Sequence, residues 1–151
     1  MTTPDLDDSE RMQFLTDRTM RLLCAAMDRD PEQAANLLGE IGERYGHDGV
    51  YGVCCALAEA VRTWAFPTVP RGDGSLTGDM LILEKLPGAK DDPATDWACR
   101  FVTSYINGDD DINTALFFGN LGDQELTIGG VTALIGMAGS IGRQVEAERA
   151  S

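Results

Sequence analysis

The sequence predicts an all-α fold of about six helices, and three observations carry that expectation. Apolar residues recur at spacings of three and four over most of the chain. The pairs Asp30-Pro31 and Asp92-Pro93 read as helix starts, because aspartate caps free backbone N–H groups and proline suits the first helical position. Strand-like segments are nearly absent, the one ambiguous run being MLILEKL at Met80 to Leu86.

Helix one is expected from about Ser9 to Asp28, with Met12, Leu15, Thr19, Leu22 and Ala26 on one face. Asp30 then caps helix two, Gln33 reaches back as in a capping box, and Ala34, Leu37, Leu38 and Ile41 form the buried face as far as Arg44. The turn YGHDG separates it from helix three, which Asp48 caps and which runs to about Trp64. Residues 66–91 read as a proline- and glycine-rich linker, with MLILEKL a helical turn against the core.

The second half opens at Asp92, and Trp97, Phe101, Val102, Tyr105 and Ile106 line helix four. Asn107-Gly108-Asp109 ends it, helix five follows from about Asp110 to Asn120, and helix six from about Glu125 to Glu148. The two halves align. Arg21–Leu38 lies over Arg100–Phe117 with coincident apolar positions, and Gly49–Arg62 lies over Gly130–Arg143. The expected architecture is therefore one domain over 1–151, built from two pseudo-repeated three-helix units at about 9–65 and 92–148. Helices three and six carry the longest uncharged stretches and are expected side by side at the centre. Gly136, Gly139 and Gly142 share a face of helix six, which suits close contact with helix three or a homodimer seam, and Gly136→Leu is expected to overpack it.

Charge narrows the function. The chain of 151 residues has a net charge of −13, a field that repels phosphates and argues against direct binding of nucleic acid or an anionic membrane. The charge is spread as −6 over residues 1–65, −1 over 66–91 and −6 over 92–151, so no acidic tail holds it. Arginine outnumbers lysine, and alanine, glycine and aspartate abound, a composition of GC-rich bacterial or phage genomes. Cys24, Cys54, Cys55 and Cys99 sit among apolar residues and read as small buried hydrophobes in a reducing cytoplasm. MTTPDLDDSERM has no apolar run and does not read as a secretion signal. The uncharged run from Leu126 to Gly142 has five glycines and is short of the roughly 20 strongly apolar residues of a membrane span, so it reads as a buried helix.

Few residues suggest chemistry. His47 is the only histidine, which excludes a histidine triad or a two-histidine metal site within one chain, and it reads as a turn residue. Asp109, Asp110 and Asp111 resemble a calcium loop only superficially, since the sixth and twelfth positions are Thr114 and Asn120 rather than glycine and glutamate, and capping of a helix N-terminus explains the cluster better. Neither a metal nor a cofactor is expected, and no nucleotide-binding glycine motif occurs. Arg71-Gly72-Asp73 reads as a turn in the linker. Arg21 and Arg100, and also Arg62 and Arg143, occupy equivalent places; Arg100 and Arg143 are the candidate anion-binding residues of a cleft between the repeats. Trp64, Trp97, Phe66 and Tyr51 cluster near the joint between the halves, where an apolar pocket is expected.

The leading functional reading is a non-enzymatic acidic adaptor, regulator or inhibitor that binds a basic protein surface, with Asp109, Asp110 and Asp111 as candidate partner contacts and nucleic-acid mimicry as a sharper form. The alternative is a ligand-binding or enzymatic bundle that uses the cleft.

Overall fold

A computed structural model describes residues 4–72 and 92–150, and the expected MLILEKL turn lies outside them. The described residues form five helices and no strand: α1 Pro4–Met27, α2 Pro31–Ala65, α3 Pro93–Ile106, α4 Asp110–Phe118 and α5 Gln124–Ala150. Three aspartates start helices as their sequence setting dictates. Asp30 accepts the Gln33 N–H at 3.1 Å, Asp92 the Ala94 N–H at 3.3 Å and Asp109 the Ile112 N–H at 3.2 Å. A fourth, Asp123, accepts the Leu126 N–H at 3.2 Å at the start of α5.

Six helices in two repeated units is not what forms. The expected second and third helices are one 35-residue element, α2, broken only at Gly46 (φ 66°, ψ −154°). One glycine at positive φ makes the whole break, and Asp48, expected as the cap, lies two residues beyond it in the first turn of the helical segment that follows. At the aligned place in the second half the chain leaves helix for residues 119–123, and three separate helices of 14, 9 and 27 residues result. The matched apolar spacing thus reflects amphipathic helices in both halves and no repeated structure.

Helix α5 is the hub, packing on α1, α2 and α3, while α2 also packs on α1 and α3, and α4 packs on α3. By length and apolarity α5 is the one described helix able to cross a membrane; here it buries Gly130, Val131, Leu134, Ile135, Ala138, Gly139 and Gly142 against its neighbours. Phe101, Phe117, Leu22, Ile41, Leu57, Ile106 and Leu134 are among the largest fully buried side chains. Each contributes about 1.5–3 kcal/mol by leaving water.

Its glycines set how closely α5 approaches. A Cβ on Gly139 would lie 2.7 Å from the Ala26 carbonyl oxygen, and one on Gly142 would lie 2.9 Å from the Met27 sulfur and 3.0 Å from the Trp64 ring. Gly136 is exposed, and a Cβ there would meet nothing within 4 Å. A Cβ on Gly130 would likewise lie 2.7 Å from the Trp97 ring, so the close contacts are with the end of α1, Trp64 and Trp97, and of the three glycines expected on one face the overpacking belongs to Gly139 and not Gly136.

The end of α1 is unusual. Asp30 N–H donates to the Ala25 carbonyl at 2.8 Å and Arg29 N–H to the Ala26 carbonyl at 3.2 Å, the paired bonds that close a helix through a left-handed residue. That residue is normally glycine. Here it is Arg29, at φ 56°, the only described non-glycine residue with positive φ. An L side chain in this region costs about 1–2 kcal/mol.

The cysteines divide by burial. Cys54 and Cys99 are buried, Cys55 is half-buried and Cys24 is exposed, and all four are free thiols. The expectation of uniformly buried cysteines fails at Cys24, which lies on the outer side of α1 from Leu22 and Leu23. Among the described residues no group of acids, cysteines and histidine is placed to hold a metal ion. Chelator and reductant are accordingly expected to leave the melting temperature unchanged, with Cys24 reacting first and Cys54 last in a thiol-labelling time course. A melting drop of several degrees with either reagent contradicts this assignment.

Candidate functional site

Two places in the fold have the makings of a site: a polar network in the interior and an apolar groove on the surface. The network begins on α2, where Tyr51, Cys55 and Glu59 follow one another at four-residue intervals and so share a face. Tyr51 donates its phenolic hydrogen to Asn113 Oδ1 at 2.6 Å, and Cys55 Sγ lies 3.8 Å from the same oxygen. Asn113, 1% exposed, donates from Nδ2 to the Phe101 carbonyl and to Ser104 Oγ, both at 3.1 Å. Phe101, Phe117 and Phe118 surround the Tyr51 ring.

Farther along α2, Glu59 accepts from Tyr105 at 2.6 Å and from Arg62 Nε at 2.9 Å, while Arg62 Nη1 donates to the Val69 carbonyl at 2.7 Å. Arg71 extends the chain of contacts by donating to the Tyr105 carbonyl at 2.9 Å and to Asp110 at 2.6 Å, its guanidinium lying over the Tyr105 ring. Gly72 N–H donates to the Ile106 carbonyl at 2.6 Å, and a Cβ on Gly72 would strike the Asn107 carbonyl oxygen at 2.5 Å. The segment after α2 is thus tied down on the end of α3. Arg71 of the Arg-Gly-Asp tripeptide is part of that tie.

Electrostatics make this network a lock. Burial pushes the Cys55 thiol and the Tyr51 and Tyr105 phenols up, so all three are protonated donors at neutral pH. Hydrogen bonding from Arg62 holds Glu59 below the usual carboxylate range. A thiol that stays protonated is a poor nucleophile. The arrangement fastens α2 to α3 and α4 and offers no activated group to a substrate.

The groove is different in kind. It encloses about 690 Å³ between the first turns of α2 and the outer side of α5, within the range of small-molecule sites, about 300–1,000 Å³. Ala34, Ala35 and Leu38 form one wall and Ile128, Thr132 and Ile135 the other. Its charged lining is Arg29, Asp30 and Arg143. Asp30 is engaged with the Gln33 N–H, and Arg143 Nη1 donates to the Ala26 and Met27 carbonyls at 2.8 and 3.3 Å. A second groove of about 460 Å³ lies between α1 and the later part of α2, walled by Leu15, Leu23, Ala56, Ala60 and Trp64 and by the exposed Met12 and Met20. Met12 was expected on the buried face of the first helix and is instead 64% exposed at this rim.

The residues singled out in the sequence separate. Arg143 lines the larger groove, whereas Arg100 pairs with Asp96 at 2.9 Å on the outer side of α3 and is 69% exposed. The two are not brought to one cleft. Asp109 caps α4, Asp110 pairs with Arg71 at 2.6 Å, and Asp111 is exposed. His47 is exposed beside the Gly46 break. Of the aromatic group, Trp97 stacks on Phe101 and donates to the Leu116 carbonyl at 2.8 Å, Tyr51 belongs to the network, and only Trp64 lines a groove. Sequence reasoning missed Arg29. The available signal was the helix end MDRDP, which has no glycine or asparagine to take the left-handed position.

No protein-family model matches the chain, and no curated protein and no solved structure is significantly similar to it.

Proposed function

We propose that the protein is a non-enzymatic interaction protein whose carboxylates engage a basic protein surface. One observation carries this reading: eight of the ten arginines are folded back onto their own chain. Arg18, Arg21, Arg62, Arg71 and Arg100 pair with acids, Arg11 and Arg44 lie over the Tyr45 ring, and Arg143 caps α1. Exposed carboxylates such as Asp28, Glu32, Glu43, Asp48, Asp111 and Glu146 then set the outward field of a chain with net charge −13. Such a field speeds encounter with a basic partner and selects against acidic ones. The same feature supports the sharper form in which carboxylates stand in for phosphates, and competition by duplex DNA for the partner distinguishes the two. The groove beside Arg143 favours a second reading, a small-ligand-binding bundle.

The test is to capture the partner from the source cell, purify it and measure its binding to this chain. Affinity is expected to fall steeply between 0.1 M and 1 M salt, as the Debye length shrinks from about 10 to 3 Å. It is also expected to fall for a variant with Asp109, Asp110 and Asp111 all replaced by asparagine, which retains a capping oxygen at position 109. Binding that is indifferent to both salt and the triple variant overturns the electrostatic reading.

A further inference from the structure

We infer that the groove between α2 and α5 is a binding site for a monomeric amphipathic anion, an alkyl chain ending in a carboxylate or similar head, and this inference is independent of the partner-binding reading. The chain would lie between Ala34, Ala35 and Leu38 on one side and Ile128 and Ile135 on the other. The head would meet Arg29 and Arg143.

Three observations point to that polarity. Both arginines sit at the same end of the groove, because the Arg29 backbone N–H and Arg143 Nη1 donate to one acceptor, the Ala26 carbonyl oxygen. Their guanidinium groups still have donors to offer: among the described residues Arg143 bonds only through Nη1, and the Arg29 side chain forms no ion pair. The nearby Asp30 carboxylate is committed to the start of α2, where the N–H it accepts and the helix dipole offset its charge.

The backbone supplies the third observation. Arg29 occupies the left-handed position that glycine fills without strain, and strain of this kind is concentrated at functional sites. On a chain where eight of the ten arginines serve its own fold and Arg149 lies in the last turn of α5, a strained arginine at the mouth of an apolar groove is accounted for by what it binds.

The glycines make the inference testable without damage to the core. Gly136 lines the groove, and a Cβ there meets nothing within 4 Å, so Gly136→Leu fills the groove while leaving the packing of α5 in place. Arg29→Gly removes the guanidinium and relieves the left-handed strain, so this variant is expected to melt no lower than the parent protein.

Titration calorimetry with decanoate, octanoate, 1-decanol and decylammonium, all below micelle formation, supplies the readout. Decanoate is expected to bind at least tenfold more tightly than decanol, through charge-assisted hydrogen bonds, and more tightly still than decylammonium. Octanoate is expected to bind about tenfold more weakly than decanoate for the loss of two methylenes. Arg29→Gly is expected to reduce decanoate affinity at least tenfold and leave decanol unchanged, while Gly136→Leu weakens every probe. Preference for decylammonium, which non-specific binding to a chain of net charge −13 would give, overturns the inference. So does decanoate affinity that survives Gly136→Leu or Arg29→Gly, or the absence of binding by any of the four probes.

Discussion

Leucine in place of Gly139 is expected to be among the most damaging single changes in this protein, costing more than about 3 kcal/mol, while the same change one turn earlier at Gly136 is expected to be harmless. The difference lies in what each side chain meets. At Gly139 even a methyl group would sit 2.7 Å from the Ala26 oxygen, 2.8 Å from its carbonyl carbon and 2.8 Å from its Cβ. Two of these atoms are backbone and cannot swing aside. Separating α5 from α1 also pulls Arg143 away from the helix end, which takes one of two donors from the Ala26 carbonyl and the Arg143 bond from the Met27 carbonyl. Gly136 has open space instead, and replacing a mid-helix glycine by leucine gains up to about 1 kcal/mol of helix propensity.

Each kcal/mol moves the melting temperature of a chain this size by about 2–4 °C, so the expected drop for Gly139→Leu is at least about 6 °C. Equal melting temperatures for the two leucine variants contradict the assignment of the close contact to Gly139.

Asn113→Asp is expected to cost about 3–5 kcal/mol at neutral pH, although it changes one atom. Asn113 uses its full amide character: Oδ1 accepts from Tyr51, and Nδ2 donates to the Phe101 carbonyl and Ser104. A carboxylate keeps the first bond, but its second oxygen faces the Phe101 carbonyl, and a charge is placed at a position 1% exposed. Both effects favour the protonated acid. Its pKa in the folded state therefore rises above the unfolded value of about 3.9.

The sign of the pH dependence follows from that shift. The variant approaches wild-type stability below about pH 4, where both states are protonated, and its deficit grows as pH rises through the folded-state value. Denaturant unfolding of both proteins at several pH values reads this directly. A deficit that is constant from about pH 4 to pH 8 rules out a buried, unshared carboxylate at this position.

The interior network was only partly legible. The four-residue spacing of Tyr51, Cys55 and Glu59 is visible in the sequence, but Asn113 reads there as one more polar residue in a short acidic helix. Its partners Tyr51, Phe101 and Ser104 come from two other helices. The Asp109 to Asp111 triplet looks uniform in the sequence, and only contact with Arg71, a residue 39 positions away, sets Asp110 apart from Asp111. The comparison of the two halves misled for a related reason. Matched apolar spacing reports that two segments are amphipathic, not that their helices begin and end alike: the first half is interrupted by a kink at Gly46 alone, the second by five non-helical residues at 119–123.

By itself the sequence determined the helical class, the caps at Asp30, Asp92 and Asp109, and the acidic surface, because periodicity, capping and charge are properties of neighbours along a chain. Tertiary structure alone decided which glycine bears the close contact, where the groove opens and which arginines face it. Gly136 and Gly139 are equivalent in the sequence and differ only in what lies across from them: open space for one, the last turn of α1 for the other. Arg100 and Arg143 likewise look alike until packing sets one beside Asp96 and the other against the carbonyls of Ala26 and Met27. Contacts across the fold depend on how α5 seats on its neighbours, and that seating is fixed by the sum of all the buried faces and not by any one stretch of residues.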